Sequence, residues 1–284
     1  MEVNLRGDSR ATLRALLPLL HRKADRSWHE RIEEAVADSW EEARGTAMAA
    51  ADPINPQRVV HELSERLPER SVVTADSGTT TVWYARNLRF RRGTMGSVSG
   101  TLATMGCAVP YAIAAKFAYP DRSVIALAGD GAMQMNGLAE LITIAKYWRQ
   151  WADPRLVVMA LNNRDLAYVT WEERVQVGDP KWEASQALPD VPYAEFAKLI
   201  GLGGLRVESP EEVGPAWETA LAADRPFVLD MVTDPNVPPL PPHITLKQAR
   251  NFMGAMLKGE PEVGSVLANT ARELVGAILP GKER

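Results

Sequence analysis

An acidic residue and an amide stand at the ends of two apolar segments in the middle of the chain. Asp130 lies within Gly-Asp-Gly at the end of SVIALAGD, and Asn163 closes RLVVMALNN. Carboxylate and amide oxygens are hard ligands, which suit Mg²⁺ or Ca²⁺ better than Zn²⁺. Because Mg²⁺ commonly completes its coordination shell with phosphate oxygens and water, so few protein oxygens indicate a phosphorylated ligand. The pair therefore predicts a metal-assisted site for a phosphorylated molecule.

The residues around Asp130 favour the same chemistry. Gly129 and Gly131 would let the backbone approach a diphosphate closely, and the helix that follows would add the positive end of its dipole. Each half of the pattern also has an ordinary interpretation, since Asp-Gly is common turn chemistry and Asn-Asn tolerates left-handed backbone. The segment between the halves carries apolar residues at helical spacing, Leu138, Leu141, Ile142 and Ala145. The whole combination favours the functional interpretation.

The elements that position these residues alternate between strands and helices. Apolar strands are predicted at residues 71–78, 123–130, 155–163, 205–207 and 227–232, with helices at 110–118, through Lys146, at 193–200 and from Ser209 onward. Continuous apolar strands that alternate with helices predict an α/β fold, a doubly wound and mostly parallel sheet with helices on both faces. In such sheets ligands bind beyond the carboxyl ends of the strands, where Asp130 and Asn163 lie.

The ends of the chain differ from this central pattern. Residues 10–23 and 27–48 are predicted helices, the second opened by a Ser27-x-x-Glu30 capping box and carrying only a narrow apolar stripe. Asn55-Pro56 is a typical helix start. We predict an N-terminal helical appendage at 1–50, a linker at 51–54, the binding domain at 55–236 and a C-terminal extension at 237–284 with one or two short helices.

Composition excludes several classes of protein. A net charge of -4 and a pI near 5.7 remove the basic footprint of a nucleic-acid binder. No segment has the roughly 20 apolar residues of a membrane span, so no membrane span is predicted and a cytoplasmic location is expected. The single cysteine, Cys107, excludes an internal disulfide and is either a packed small residue or a reactive thiol. The four histidines, His21, His29, His61 and His243, show no metal-ligand spacing and predict surface or packing roles.

Gly-Asp-Gly, a helix and then Asn-Asn resembles the cofactor motif of thiamine-diphosphate enzymes. The resemblance runs over essentially the whole chain, including LPPHITLKQARNF, and is closest to the pyruvate oxidase, quinone-dependent pyruvate dehydrogenase and acetolactate synthase branch. In that family this unit is the C-terminal diphosphate-binding domain, with the thiamine-diphosphate-binding fold. The gap between the two halves of the motif is somewhat longer here than is usual in the family. The extra length falls in YWRQWADPR, which is interpreted as a longer connection between the helix and the strand that follows it. The first 50 residues resemble the closing helices of the family's middle domain.

The resemblance implies roles for individual residues. Asp130, the side chain of Asn163 and the carbonyl of Asp165 would bind Mg²⁺, and Gly131 and Ala132 would donate N–H groups to the diphosphate. The remaining cofactor contacts that it implies are Gly78, Thr79, Thr80, Ala103, Thr104, Met105, Gly129, Leu166, Ala167 and Tyr168.

Two of these contacts have competing interpretations. Met105 would wedge between the two rings of thiamine diphosphate, and the Ala103 carbonyl would accept a hydrogen bond from its 4′-amino group. A methionine among small residues is otherwise usually a core gap-filler. The segment ADSGTTT at 75–81 resembles the family's other diphosphate-side loop, although Thr-rich turns after strands are also common.

One part of the family's machinery has no counterpart in this sequence. The glutamate that promotes deprotonation of the cofactor belongs to a separate pyrimidine-binding domain, so the chain resembles a truncated product, a split subunit or part of a longer protein. A homo-oligomer, a partner chain that carries the pyrimidine domain, or both, are expected, with residues 93–106 and 135–141 as candidate docking segments. Flavin contacts in the family lie mostly in the middle domain, so FAD is not expected to bind this chain.

Three functions remain open from the sequence. The first is a Mg²⁺- and thiamine-diphosphate-binding component of an enzyme that decarboxylates a 2-keto acid such as pyruvate. The second is a non-catalytic remnant or assembly module that binds the cofactor weakly or not at all. The third is a doubly wound domain for some other nucleotide or diphosphate, because a fold alone does not determine function.

Overall fold

The structure is a computed structural model, which describes residues 6–240 and 244–278, and the side chains as far as residue 273. The chain separates into two compact units at Trp40 and Glu41. The first contains α1 (Ser9–Leu16), a 3-10 turn (Leu17–Leu19) and most of α2 (Ser27–Ala47). Its large apolar side chains are exposed: Leu13, Leu16, Leu17, Leu19, Leu20, Trp28, Ile32 and Val36. The predicted boundaries at residues 50, 54 and 236 stay predictions.

Two details of the first unit differ from the prediction. The helix predicted for residues 10–23 is too long, because Pro18 has no N–H to donate to the preceding turn and the α-helix ends at Leu16. The capping box is also wrong. Ser27 is already the first helical residue, and its N–H donates to the Asp25 carboxylate at 2.9 Å.

The second unit is built on a sheet whose described strands are all parallel. The strands are β1 (Val72–Ala75), β2 (Met95–Val98), β3 (Val124–Gly129), β4 (Leu156–Asn162), β5 (Gly203–Val207) and β6 (Phe227–Val232). Their order across the sheet is β2-β1-β3-β4-β6-β5. The chain leaves β1 toward one edge of the sheet and leaves β3 toward the other, so the crevice between β1 and β3 is the topological switch point at which such sheets bind ligands.

Helices cover both faces of the sheet, because successive strand residues point to opposite faces. Val73, Ile125 and Met159 pack with α3 (Pro56–Arg66), α4 (Thr79–Asn87) and α11 (Val213–Ala222). Val124, Ala126 and Val158 pack on the other face with α5 (Ala108–Ala118), α7 (Leu138–Tyr147) and α10 (Tyr193–Leu199). The predicted doubly wound α/β fold is confirmed, and among the described strands it is fully rather than mostly parallel.

Several local predictions need correction. The Gly-rich stretch from 78 to 106 contains α4 and β2, which the pattern missed because β2 is largely exposed and α4 opens with three threonines of low helix propensity. Ile142 is 58% exposed, whereas Leu141 is fully buried. Ser209 precedes a 3-10 turn (Pro210–Glu212) without making a side-chain cap bond.

Shorter helical pieces connect the main elements. The helical run after β3 comprises α6 (Asp130–Ala132), a π-helical turn (Met133–Gly137), α7 and a 3-10 turn (Trp148–Gln150). After β4 come α8 (Ala167–Glu172), a second π-helical turn (Glu173–Val177) and α9 (Glu183–Gln186), none of which was predicted. These pieces follow directly on the two strands that carry Asp130 and Asn163.

Two helices follow the sheet, where the sequence predicts one or two short ones. They are α12 (Leu246–Leu257), opened by a capping box of Thr245 and Gln248, and α13 (Val263–Ile278). Trp171 and Val175 pack with α12 and α13 in a third apolar cluster. Residues 241–243 of the family-like LPPHITL segment, including His243, lie outside the described residues. In the described part of the chain, every helix is too short or too polar to cross a bilayer.

Candidate functional site

A cavity of about 200 Å³ lies at the carboxyl ends of β1, β3 and β4. Four chain segments line it: 77–80 after β1, Ala103 with Met105, 129–132 after β3, and residues 161, 163 and 165–169 after β4. Every predicted cofactor contact except Thr104 lines this cavity, and Thr104 is exposed outside it. Ser77, Leu161 and Val169 were not predicted, although each directly adjoins a predicted residue or motif. Four separate predictions therefore converge on one pocket.

The carboxylate of Asp130 joins the ends of β3 and β4. Its Oδ1 accepts the N–H of Gly131 at 2.8 Å, and its Oδ2 accepts the N–H of Arg164 at 2.5 Å. Gly129 pairs with Leu161 across the two strands, so the parallel register brings Asp130 beside the Asn162-Asn163 pair. Asp130 and Asn163 are thus neighbours at the cavity.

Asp130 is a buried carboxyl group that has no counterion within the described part of the chain. Only 3% of Asp130 is exposed, and burial raises the pKa of its carboxyl group to about 7, although N–H bonds from Arg164 and Gly131 oppose this. Among the described residues, no lysine or arginine forms an ion pair with it. A divalent cation in the cavity would supply the missing positive charge.

The turn after β4 presents oxygen atoms of two further residues. Asn163 Oδ1 accepts the N–H of Asp165 at 3.0 Å, which orients the amide. Arg164, between them, has a φ of +59°, a left-handed conformation that is uncommon for a residue with a side chain. Such strain persists where the surrounding structure stabilises it, and it is frequent at functional sites.

Asp165 uses its carboxylate for internal bonds. Thr170 Oγ1 donates to its Oδ1 at 2.9 Å, and the Lys181 ammonium lies 3.2 Å from its Oδ2. Burial raises the pKa of Asp165 despite the neighbouring Lys181. The backbone N–H of Leu188 donates to the carbonyl of Arg164, and N–H groups in α8 donate to the carbonyl of Leu166, so these hydrogen bonds do not use the carbonyl of Asp165. This pattern agrees with the backbone carbonyl, not the carboxylate, as the available ligand atom.

Helix starts supply N–H groups to the same cavity. Gly78 precedes α4 with a φ of 99° and a ψ of -154°, a conformation open essentially only to glycine, and no side chain caps this helix. The helical run Asp130–Tyr147 starts directly at the end of β3. The amino-terminal ends of both helices therefore lie at the cavity, and their dipoles give it positive partial charge, which suits an anion.

One wall of the cavity is apolar. A Cβ atom at Gly131 would lie 2.7 Å from Leu166 Cδ2 and 3.2 Å from Met105 Cε, so these side chains close over the glycine. The position of Met105 in the wall favours the ligand-contact interpretation over the gap-filler. Ala103, two residues earlier, has a φ of +47°.

A buried carboxylate that the sequence analysis missed anchors this wall. Asp76 Oδ1 accepts the N–H groups of Cys107 at 2.7 Å and Ala108 at 3.2 Å, which ties the start of α5 to the end of β1. Cys107 itself is buried, and burial raises the pKa of its thiol, so the packed-residue interpretation is favoured. A buried strand end followed by an acidic residue is a signal that could have identified Asp76.

Comparisons with known proteins agree with the geometry. Residues 76–231 match the family model described as thiamine pyrophosphate enzyme, C-terminal TPP binding domain. A Bacillus subtilis protein named as thiamine pyrophosphate-containing, YdaP, is 38% identical over 88% of this chain and 42% of that protein. The mitochondrial acetolactate synthase catalytic subunit of Aspergillus candidus is 32% identical over 83% of this chain and 33% of that protein. The chain therefore spans less than half the length of these relatives.

A solved structure shares the fold. The thiamine diphosphate-dependent 4-hydroxybenzoylformate decarboxylase of Rhodococcus jostii superposes with a TM-score of 0.58 at 21% identity, covering 66% of this chain and 34% of that one. The motif residues meet at the switch point, and the family model covers residues 76–231, so the chain belongs to the thiamine pyrophosphate enzyme family, through its C-terminal cofactor-binding domain.

Proposed function

We propose that this chain binds Mg²⁺ and thiamine diphosphate in the cavity and serves as a component of an enzyme that decarboxylates a 2-keto acid such as pyruvate. The observation that carries the proposal is the Asp130 carboxylate, which is buried beside Asn163, accepts the Arg164 N–H and has no counterion among the residues that the structure describes. The family match, and relatives named as acetolactate synthases, support the cofactor and the class of substrate.

The donor set fits Mg²⁺. Asp130 and Asn163 offer side-chain oxygens, and Asp165, whose carboxylate is bound by Thr170 and Lys181, offers its carbonyl. Three protein oxygens leave coordination positions for phosphate oxygens and water, as Mg²⁺ requires. The diphosphate would then receive N–H groups from Gly131 and Ala132.

The remaining residues of the cavity bind and orient. Thiamine diphosphate, when bound, supplies the electron sink for the carbanion that decarboxylation leaves. Met105 and Leu166 line one apolar wall of the cavity, and Thr79 and Thr80 at the start of α4 would offer their N–H groups to the diphosphate. The protein's contribution in this chain is therefore placement and charge compensation rather than proton transfer.

Activity is proposed to need a second polypeptide. The family match covers the C-terminal TPP binding domain, and we propose that the pyrimidine-binding domain with its glutamate is supplied by a partner chain, within a homo-oligomer or a mixed assembly. Both candidate docking segments carry exposed apolar side chains, with Leu102 83% exposed and Met135 54% exposed. Leu138 and Leu141 of the second segment instead pack against the sheet.

Thermal unfolding of the purified chain tests the binding step. Mg²⁺ and thiamine diphosphate together are expected to raise the apparent stability by about 2.7 kcal/mol when the ligand stands at 100 times its Kd. Asp130→Asn, which removes the charge but not the shape, should abolish this rise. Thr104→Ala, at the one predicted contact outside the cavity, is the control and should retain it.

Other outcomes separate the alternatives. A rise with Mg²⁺ and ADP but not with thiamine diphosphate would contradict the cofactor assignment. If the wild-type chain shows no response, the measurement is repeated with a polypeptide that carries the pyrimidine-binding domain. Continued absence of a response, or binding without decarboxylation of pyruvate, would favour the non-catalytic module.

A further inference from the structure

One short segment contacts the ends of both strands that carry the proposed metal ligands. We name residues 187–193, ALPDVPY, the clasp segment; it connects α9 to α10. Leu188 N–H donates to the carbonyl of Arg164 at 2.9 Å, and Asp190 Oδ1 accepts from Asn162 Nδ2 at 3.0 Å. Tyr193 OH donates to the carbonyl of Asp130 at 3.2 Å.

The bond from Leu188 and the Asp130 carboxylate together hold the strained turn at Arg164. Both backbone groups of Arg164 are engaged, its N–H by Asp130 Oδ2 and its carbonyl by Leu188. Arg164 has a positive φ, a conformation that needs support from its surroundings. The clasp segment supplies that support from a different part of the chain.

The clasp segment is itself firmly anchored. Arg206 on β5 binds both carboxylate oxygens of Asp190, at 3.0 and 2.8 Å, and also contacts the buried Asp230 of β6 at 3.1 Å. A bidentate guanidinium–carboxylate pair is geometrically specific. The position of Asp190, and hence of the clasp segment, is therefore tied to the neighbouring strands of the sheet.

Tyr193 is the member that reaches a proposed ligand residue directly. Its ring is fully buried in the apolar cluster under the sheet, while its hydroxyl extends to the Asp130 carbonyl. Gln134 Nε2 donates to the same hydroxyl at 3.3 Å and to the carbonyl of Pro189 at 3.4 Å. The hydroxyl thus has one donor and one acceptor partner, and its proton is directed at the turn after β3.

We infer that Tyr193 is a positioning residue, whose hydroxyl holds the turn at Asp130 in the geometry that Mg²⁺ and the diphosphate require before they bind. The inference rests on the proposed function for its ligand. The inference also makes a claim about the chain without ligand, namely that the clasp segment restrains the turns after β3 and β4. These two parts can be measured separately.

Tyr193→Phe removes the hydroxyl and keeps the buried ring. In the full chain without ligand, we expect backbone amide hydrogen exchange in peptides covering 129–132 and 163–166 to speed up about three- to tenfold, the effect of losing one hydrogen bond. Exchange in the β3 peptide 124–128 should stay unchanged. Calorimetric titration should show a Kd for thiamine diphosphate, at saturating Mg²⁺, that is raised by a similar factor.

Two further variants keep the test decisive. Tyr84→Phe alters a half-buried tyrosine that packs on Phe90, away from the cavity, and should change neither exchange at 129–132 nor the Kd. Gln134→Ala removes the second bond to the Tyr193 hydroxyl at a partly exposed position, and should shift both quantities in the same direction by a smaller factor.

The outcomes separate the two claims. Unchanged exchange at 129–132 and 163–166 in Tyr193→Phe, or exchange that rises equally in β3, would overturn the positioning role. Faster local exchange with an unchanged Kd would show that the hydroxyl does not serve the ligand, and would overturn it as well. If the wild-type chain binds no Mg²⁺ and thiamine diphosphate, with or without a partner chain, the proposed function fails, while the exchange measurement still decides whether the clasp segment restrains the turns.

Discussion

Glu260→Gln tests how much the buried ion pair between Glu260 and Arg174 stabilises the packing of α12 and α13 against the rest of the second unit. Glu260 accepts from Arg174 Nε at 3.1 Å and from Arg174 Nη2 at 2.8 Å, and both side chains are fully buried. It also accepts the N–H of Lys181, the residue whose ammonium binds Asp165. The substitution keeps the shape of the side chain and leaves the Arg174 charge without its counterion.

The size of the effect follows from what remains around Arg174. Removing one partner of a buried ion pair typically lowers the free energy of unfolding by about 3 to 5 kcal/mol, because the other charge stays buried. Asn236 Oδ1 still accepts from both Arg174 Nη atoms at 3.3 Å, and the Trp171 ring lies 4.9 Å from the guanidinium carbon. Since these contacts compensate part of the loss, we expect about 3 kcal/mol.

Urea denaturation followed by tryptophan fluorescence provides the measurement, because Trp171 stacks on Phe252 of α12 within the same cluster. Lys258→Ala is the matched control. Its ammonium contacts Asp179 at 2.6 Å with both side chains more than half exposed, and such pairs contribute less than about 1 kcal/mol. Equal losses for the two variants would refute the reasoning that burial makes the Glu260 pair costly to break.

The pH dependence gives a second check on the same pair. Burial by itself raises the pKa of Glu260, but the hydrogen bonds and charge of Arg174 outweigh this and leave that pKa below its usual 4.5. The stabilisation is therefore fully present above pH 4.5 and is lost as the pH falls through the lower native value. The difference between wild type and Glu260→Gln should be constant from pH 5 to 7 and shrink in more acidic solution.

Three further predictions concern other parts of the fold. Lys116 is buried, which lowers its pKa from 10.5 to about 8. Because the unfolded chain binds more protons between pH 8 and 10.5, the free energy of unfolding should rise by up to about 3 kcal/mol over this range. Lys116→Met should remove this rise, as measured by denaturation midpoints. Gly131→Ala places a Cβ 2.7 Å from Leu166 Cδ2, so the leucine side chain must move, and the variant should weaken cofactor binding by calorimetry, whereas Gly100→Ala, with open space around it, should not. Leu141→Ala should cost about 2 to 5 kcal/mol in urea unfolding and the exposed Ile142→Ala less than about 0.5, and equal costs would contradict the assigned faces of α7.

Much of the architecture could be predicted because its signals are local. The apolar runs that end at Asp130 and Asn163 indicate buried strands by their own composition, and the parallel pairing of β3 and β4 then brings the two residues together. The sequence analysis missed elements that are short or whose residues show no clear apolar pattern. β2 is mostly exposed and has no continuous apolar run, and the helices after β4 are four to six residues long.

The supporting residues of the site could not be predicted in this way. The Tyr193 hydroxyl and the Asp130 carbonyl are separated by 63 positions, and the bond from Asn162 to Asp230 spans 68. Nothing in the neighbouring sequence of Tyr193 distinguishes its buried hydroxyl from that of a surface tyrosine. The same holds for Lys181, whose partner Asp165 is recognisable only after the chain has folded back.

By itself, the sequence determined the alternation of strands and helices and the identity of the oxygen-bearing residues at the strand ends, since periodicity and turn chemistry depend on neighbouring residues. Only the tertiary structure decided that β1 and β3 enclose the crevice, that the Asp130 carboxylate is buried, and that the Asp165 carboxylate is bound by Lys181 and Thr170. These properties arise from contacts between distant segments. The free energy of burying a charged or polar group depends on which other groups are buried beside it, and a local sequence pattern does not show which groups these are.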